Sequence, residues 1–235
     1  MNFVSRRSVL AGASASAFVA ASCFAPNTVR AADDIEKAPN AIPPSEALER
    51  LKTGNDHYAS GNPQERDFSA SRAARMKALH PIAAILACAD NRVPPEIVFD
   101  QGPGDLFIVR DAGNVVSNYA LASMEFAVMN LGVPLIVVLG HSGCGAVAAA
   151  LGASTLRKEL PGHLPELVKA IEPAIITAHG RHPGDFLAAS IEENVRLGKK
   201  RLKSQSDIIS GAVAAGKVGI KGGVYDIATG RATLV

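Results

Sequence analysis

Two short apolar runs constrain this chain more than any other feature. Each is bounded like a strand buried on both faces, and each stops at residues that bind metals. Ile82 to Ala87 follows Pro81 and ends at Cys88, whereas Val133 to Leu139 carries Pro134 near its start and ends at Gly140, just ahead of His141 and Cys144. A weaker strand candidate, Leu106 to Val109, lies between them. Asn118 to Asn130 reads as a helix, with Ala122, Phe126 and Met129 on one stripe and Gly132 closing it. Strands that alternate with helices predict an α/β fold with a mostly parallel central sheet flanked by helices.

The flanking segments extend this layout. Ser45 is placed to cap a helix whose apolar positions Ala47, Leu48, Leu51 and Tyr58 recur near helical spacing, ending around Gly61-Asn62-Pro63. The small residues from Gly145 to Leu151 predict a helix packed tightly against the sheet. A long helix is expected near Pro183 to Lys203, basic toward its carboxyl end as the helix dipole favours. Val218 to Tyr225, a turn at Ala228-Thr229-Gly230, and Ala232 to Val235 predict a closing hairpin.

With 235 residues, 48% of them hydrophobic and 20% charged, the chain is too apolar for disorder and has room for one α/β domain plus a short addition. The addition stands at the front. Arg6 and Arg7 precede an uncharged stretch from Ser8 to Val29, and no acid occurs before Asp33. A twin arginine, a mildly apolar run and a small-residue cleavage signal at Val29-Arg30-Ala31 have the layout of a bacterial twin-arginine export peptide. Residues 1–31 are therefore expected to be removed, with the remainder periplasmic or exported. Two other readings stay open. One is a transmembrane anchor, against which Gly12, the serines and Pro26 argue. The other is a lipoprotein, since Ala20-Ala21-Ser22-Cys23 loosely resembles a lipid-attachment box but lacks a large aliphatic residue three places before the cysteine. Residues 32–45, with Pro43 and Pro44, read as an exposed lead-in, and 46–235 as a single domain.

The formal net charge of +2 is too balanced for a nucleic-acid scaffold. Removing residues 1–31 takes away Arg6, Arg7 and Arg30 and no acid, which brings the charge to −1. No electrostatic case for DNA, RNA or anionic lipid remains, and no stable membrane anchor is expected. The same cut removes Cys23 and leaves Cys88 and Cys144. In an oxidising compartment two thiols form a disulfide unless something else holds them, and a metal is one such holder.

Cys88-Ala89-Asp90-Asn91-Arg92 starts where the first strand ends, and His141-Ser142-Gly143-Cys144 starts where the third ends. Ligands of open α/β sheets sit at the carboxyl ends of strands, so these distant segments can meet there. Two thiolates and one imidazole form a set that Zn2+ accepts in tetrahedral geometry with one position open, the arrangement of a catalytic site. Zinc held in this way lowers the pKa of bound water toward about 7, and carbon dioxide is the small electrophile such a hydroxide suits. Asp90 and Arg92, two apart, can pair on one face of an extended segment. Held by Arg92, Asp90 accepts a hydrogen bond from the hydroxide; released, it can swing onto the metal as a fourth ligand and shut the site.

These residues carry a family likeness. Cys88-Ala89-Asp90-Asn91-Arg92-Val93-Pro94-Pro95-Glu96, Asp105 through Asn114, and Gly140-His141-Ser142-Gly143-Cys144-Gly145 resemble the β-class carbonic anhydrases. The resemblance extends from the Glu46 to Gly61 helix to the final Gly223-Val224-Tyr225-Asp226 hairpin. It implies a zinc enzyme that hydrates carbon dioxide to bicarbonate and a proton. It further implies metal ligands Cys88, His141 and Cys144, with Asp90 as switchable fourth ligand and catalytic residue, and Arg92 as its partner. It also implies a homodimer or homotetramer with the site mouth at a subunit interface. The family commonly has Ser at positions 89 and 91 and Asn at 111, where this chain has Ala89, Asn91 and Asp111, which puts an extra carboxylate near the site. Some members carry an inhibitory bicarbonate pocket built around a tryptophan, and this chain has none. Alternative readings are a carbon disulfide or carbonyl sulfide hydrolase on the same scaffold, and a non-catalytic zinc or redox module with Cys88 and Cys144 as a disulfide.

Overall fold

A computed structural model describes residues 38–69, 72–76, 79–156, 160–181 and 184–234. The expected export peptide and the front of the lead-in lie outside the described residues. In chain order the elements are α1 (Pro44–Ala59), α2 (Arg72–Arg75), β1 (Ala83–Ala87), α3 (Pro95–Val98), β2 (Leu106–Arg110) and a 3-10 turn (Ala112–Asn114). They continue as α4 (Asn118–Leu131), β3 (Leu135–His141), α5 (Gly145–Leu156), α6 (Leu164–His179), α7 (Phe186–Ser204), α8 (Asp207–Ala214), β4 (Gly219–Tyr225) and β5 (Ala232–Leu234).

The strands form one sheet in the order β2-β1-β3-β4-β5. β1 pairs in parallel with both β2 and β3, and β3 with β4, while β5 returns antiparallel to β4 as the hairpin pattern predicts. From β1 the chain moves to one neighbour, β2, and then crosses to the other, β3. That reversal opens a crevice at the carboxyl ends of β1 and β3, where such sheets bind ligands. Ala87 lies opposite Leu139, so the two metal-type motifs emerge side by side.

Every residue of β1 and β3 is buried, because helices cover both faces. The strand alternation sends Ile85, Ala87, Val137 and Leu139 to one side, against Ala47 and Leu51 of α1 and against Phe99. Ala84, Leu86, Ile136 and Val138 face the other side, against Met124 of α4, Val195 and Leu202 of α7 and Ile209 of α8. Each large aliphatic side chain buried in this way contributes about 1.5–3 kcal/mol relative to exposure. α7 lies close on the sheet because glycine stands at the contact. A Cβ on Gly198 would come 2.9 Å from Val138 Cγ1, and one on Gly140 would come 2.8 Å from Val195 Cγ2.

Several local expectations need correction. Ser45 does not cap α1: the helix starts at Pro44, Pro43 holds the cap position with no side-chain hydrogen bond, and proline's fixed φ suits the first turn. α4 ends at a left-handed Gly132 (φ 64°) as predicted, and Ser117 caps it by accepting from the Ala120 N–H. However, its buried stripe is Ala120, Met124 and Ala127, while Phe126 and Met129 are exposed, as is Ala122. α4 is apolar on more than one side, so periodicity alone does not select the inward face. α5 packs chiefly on α6 and α7 rather than on the sheet, since its small residues permit close helix-helix approach. α6 is not foreseen from the periodicity: Pro165 in its first turn suits a helix start, but Pro173 stands inside it, and an internal proline reads as a break. α8 was not anticipated either. The expected exposed lead-in contains Asn40, which is buried and donates from Nδ2 to the carbonyls of Pro81 (3.1 Å) and Leu131 (2.7 Å). Among the described residues no helix is long and apolar enough to cross a membrane.

Candidate metal centre

Cys88 is the first residue after β1, His141 the last of β3, and Cys144 the residue before α5. All three are buried, and their ligand atoms lie within 4.8 Å of one another. The Sγ atoms of Cys88 and Cys144 are 3.9 Å apart. Two metal-thiolate bonds of about 2.3 Å at a tetrahedral angle span about 3.8 Å, so the spacing fits one shared ion. The thiols are free and stand well beyond the S–S bond length of about 2.05 Å. His141 Nδ1 lies 3.0 Å from the Ser142 carbonyl, which accepts its hydrogen and leaves a lone pair on Nε2. Nε2 is buried with no hydrogen-bond partner, an orphaned donor atom of the kind a metal satisfies.

The electrostatics suit the same purpose. The Cys144 hydrogen bond, the His141 ring and the backbone N–H groups of Asp90 and Gly113 overcome burial and pull the Cys88 thiol down to about 3. The Cys88 thiolate and burial push Cys144 up, so the pair keeps one proton; the Ala146 and Val147 N–H groups at the α5 terminus oppose this rise. Burial works against the charged form of His141, but the Cys88 thiolate, the Ser142 carbonyl and Asp90 outweigh it and raise its pKa.

Asp90 lies at the rim, outside the three-donor cluster. Arg92 donates to it from Nε (2.9 Å), from Nη2 (2.7 Å) and from its own backbone N–H (3.0 Å). This grip holds the Asp90 carboxyl far below the usual carboxylate range. Asp90 Oδ2 is 3.9 Å from His141 Nε2. All five candidate residues thus gather at one end of the sheet.

Supporting residues were not assigned roles from sequence. Arg110, at the end of β2, donates from Nε to the Cys88 carbonyl (2.9 Å) and from Nη2 to the Asp90 carbonyl, bracing the ligand loop. The Gly113 N–H donates to Cys88 Sγ at 3.3 Å, and Asn194 of α7 donates from Nδ2 to the Gly113 carbonyl at 2.7 Å. One signal for Asn194 was available: an amide at helical spacing among Ile191, Val195, Gly198 and Leu202 is a polar residue on a buried face. The Asp111 carboxylate accepts from Ser117 Oγ at 2.8 Å and so joins the start of α4. Of the other histidines, His163 is exposed near Glu166, His179 lies against Phe186, and His80 is exposed. His182 is outside the described residues.

A mostly parallel sheet whose switch point holds a Cys-His-Cys cluster able to hold a metal ion, beside an Asp-Arg pair, defines a class of enzyme, and sequence comparison names it. Residues 83–232 match the carbonic anhydrase family. The chain belongs to that family, in its β class. It is 40% identical over 202 residues to carbonic anhydrase 2 of Mycobacterium tuberculosis, covering 83% of this chain and 94% of that protein. It is 35% identical over 179 residues to a carbonic anhydrase of Pseudomonas aeruginosa, covering 71% and 80%. Among solved structures, the Coccomyxa β-carbonic anhydrase in complex with acetazolamide superposes with TM-score 0.62 at 26% identity, covering 80% of this chain and 84% of that one. A tetrameric β-carbonic anhydrase from Sordaria macrospora shares the fold with TM-score 0.64 at 24% identity, covering 81% and 95%.

Proposed function

We propose that this chain catalyses the reversible hydration of carbon dioxide to bicarbonate and a proton, with Zn2+ held by Cys88, His141 and Cys144. The observation that carries the reading is the orphaned His141 Nε2 facing two thiol sulfurs 3.9 Å apart. Zinc bound there supplies a Lewis acid that makes water nucleophilic at neutral pH. The chain's own residues orient the reaction. Arg92 fixes the Asp90 carboxylate, and Asp90 Oδ2 accepts a hydrogen of the attacking water, which turns the oxygen lone pair toward the substrate carbon. Arg110 keeps the loop carrying Cys88 and Asp90 in place from behind. Release of Asp90 from Arg92 would let the carboxylate occupy the fourth metal position and close the site. Stopped-flow hydration of carbon dioxide by the zinc-loaded chain tests the reading. A rate well above buffer is expected; no rate above buffer overturns the activity, and turnover confined to carbonyl sulfide or carbon disulfide moves the substrate.

We also propose that the protein is exported by the twin-arginine route and assembles as a homodimer or homotetramer. Export of a folded, metal-loaded protein keeps two thiolates from oxidation, and it predicts that Arg6→Lys with Arg7→Lys retains the protein in the cytoplasm. Assembly is supported by the exposed Tyr119, Phe126 and Met129 on α4, which flanks the sheet beside the free edge of β2. Light scattering of Phe126→Asp should show a smaller particle than wild type.

A further inference from the structure

We propose that Asn194 is a positioning residue for the Cys88 thiolate, acting from α7 through Gly113; the inference rests on the metal reading above. Asn194 is 3% exposed and sits 81 residues from its partner, the Gly113 carbonyl. Desolvating an amide among Ile191, Val195 and Leu202 is unfavourable unless its hydrogen bond does something an apolar side chain would not. What it does is pin Gly113. That residue adopts φ 68° and ψ 21°, and in this left-handed conformation its N–H is aimed at Cys88 Sγ. Any other residue would be strained there: besides the positive φ, a Cβ would come 2.9 Å from Ile171 Cδ1, which would have to move, and 3.3 Å from Ala146 Cβ. Glycine is also the most mobile backbone unit, so its N–H keeps one direction only if something anchors it. Asn194 anchors the residue by its carbonyl, which restricts the rotation about its Cα that would redirect the N–H, and Ile171 stands close beside that Cα.

The consequence falls on the metal ligand. Cys88 Sγ receives an N–H donor whose direction does not vary, which fixes the sulfur's rotamer and spreads its charge in a buried site. Second-sphere partners of this kind change metal affinity by about 10- to 100-fold. The Asn194 amide therefore links the α6–α7 layer to the ligand loop across the sheet end.

The test uses the full zinc-loaded chain and reads zinc loss to a chelator. Asn194→Leu, near-isosteric and without a donor, should lose zinc about 10- to 100-fold faster than wild type. Leu202→Ala, a cavity on the same helix away from Gly113, should destabilise the fold while zinc loss stays near the wild-type rate. Should Asn194→Leu not fold, Asn194→Ser reads the same rate with a side chain too short to reach. In the cadmium-113 form, scalar coupling from the Gly113 amide proton to the metal should be present in wild type and lost in the Asn194 variant, while that from the Asp90 amide persists. Equal zinc loss in wild type and the Asn194 variants, or equal acceleration by Leu202→Ala, overturns the inference alone. A wild-type chain that holds no zinc overturns the metal centre and this inference together.

Discussion

Arg92 and Asp90 face each other in a two-pronged pair, Nε to Oδ1 at 2.9 Å and Nη2 to Oδ2 at 2.7 Å, and the second oxygen stays 3.9 Å from His141 Nε2. The guanidinium therefore keeps a charged acceptor beside the Cys-His-Cys cluster without letting it enter. Asp90→Asn should retain zinc and the fold but lose about 100-fold or more in kcat/KM, since orienting acid-base groups contribute factors of that size. Arg92→Ala should also lower activity, and structures of that variant should show Asp90 turned toward the metal. An Asp90→Asn enzyme with wild-type turnover would remove Asp90 from the reaction.

Removal of a ligand should act differently. Cys144→Ala should emerge from gel filtration with zinc reduced to a small fraction of one ion per chain, as read by elemental analysis. Zinc binding by the metal-free wild type at neutral pH should release the proton that Cys144 keeps and that part of the His141 proton still bound, because ligation needs thiolates and a neutral ring. Titration calorimetry in buffers of different ionisation enthalpy counts them, with about one to two expected. Release of none would mean that the pair is already fully ionised.

Acid should destabilise the protein through its held carboxylates. Burial pushes Asp100 up, but the Gln64 N–H and the Arg66 guanidinium outweigh it and hold it below the ordinary value; Arg92 does the same for Asp90. A carboxyl with a depressed native pKa contributes stability that is complete above the unfolded value of about 4 and is lost as pH falls through the native one. Denaturant midpoints should thus be flat above about pH 5 in this respect and fall below about pH 4. Arg66→Ala should lower stability at neutral pH and flatten the acid limb, and an unchanged acid limb would count against Asp100 as its source.

Two glycines should resist replacement for packing reasons. A Cβ on Gly54 would lie 1.9 Å from the Phe99 carbonyl oxygen, which is backbone and has little room to retreat. Gly54→Ala should cost about 3 kcal/mol, at the upper end for overpacking. Gly198→Ala meets only Val138 Cγ1 at 2.9 Å and should cost less. Thermal unfolding of both variants beside wild type ranks them, and the reverse order would mean that α1 yields more easily than α7.

The continuous apolar runs before Cys88 and His141 determined the buried strands, and the motifs after them supplied the residues that gather into the Cys-His-Cys cluster, because burial on both faces and side-chain chemistry are written in residue type. The same holds for the closing hairpin and for Gly132 at the end of α4. What faces what was decided only in three dimensions. Phe126 and Met129 lie on a regular stripe yet point outward, since a helix apolar on more than one side leaves its orientation to its neighbours. Pro173 reads as a break and stands inside α6, where tertiary packing outweighs local propensity. The ties of Arg110 to the loop carrying Cys88 and Asp90, and of Asn194 to Gly113, join segments 20 or more residues apart through backbone carbonyls, groups that every residue carries. A side chain's partner is invisible in sequence when that partner is main chain, because its position exists only once the sheet has brought the strand ends together.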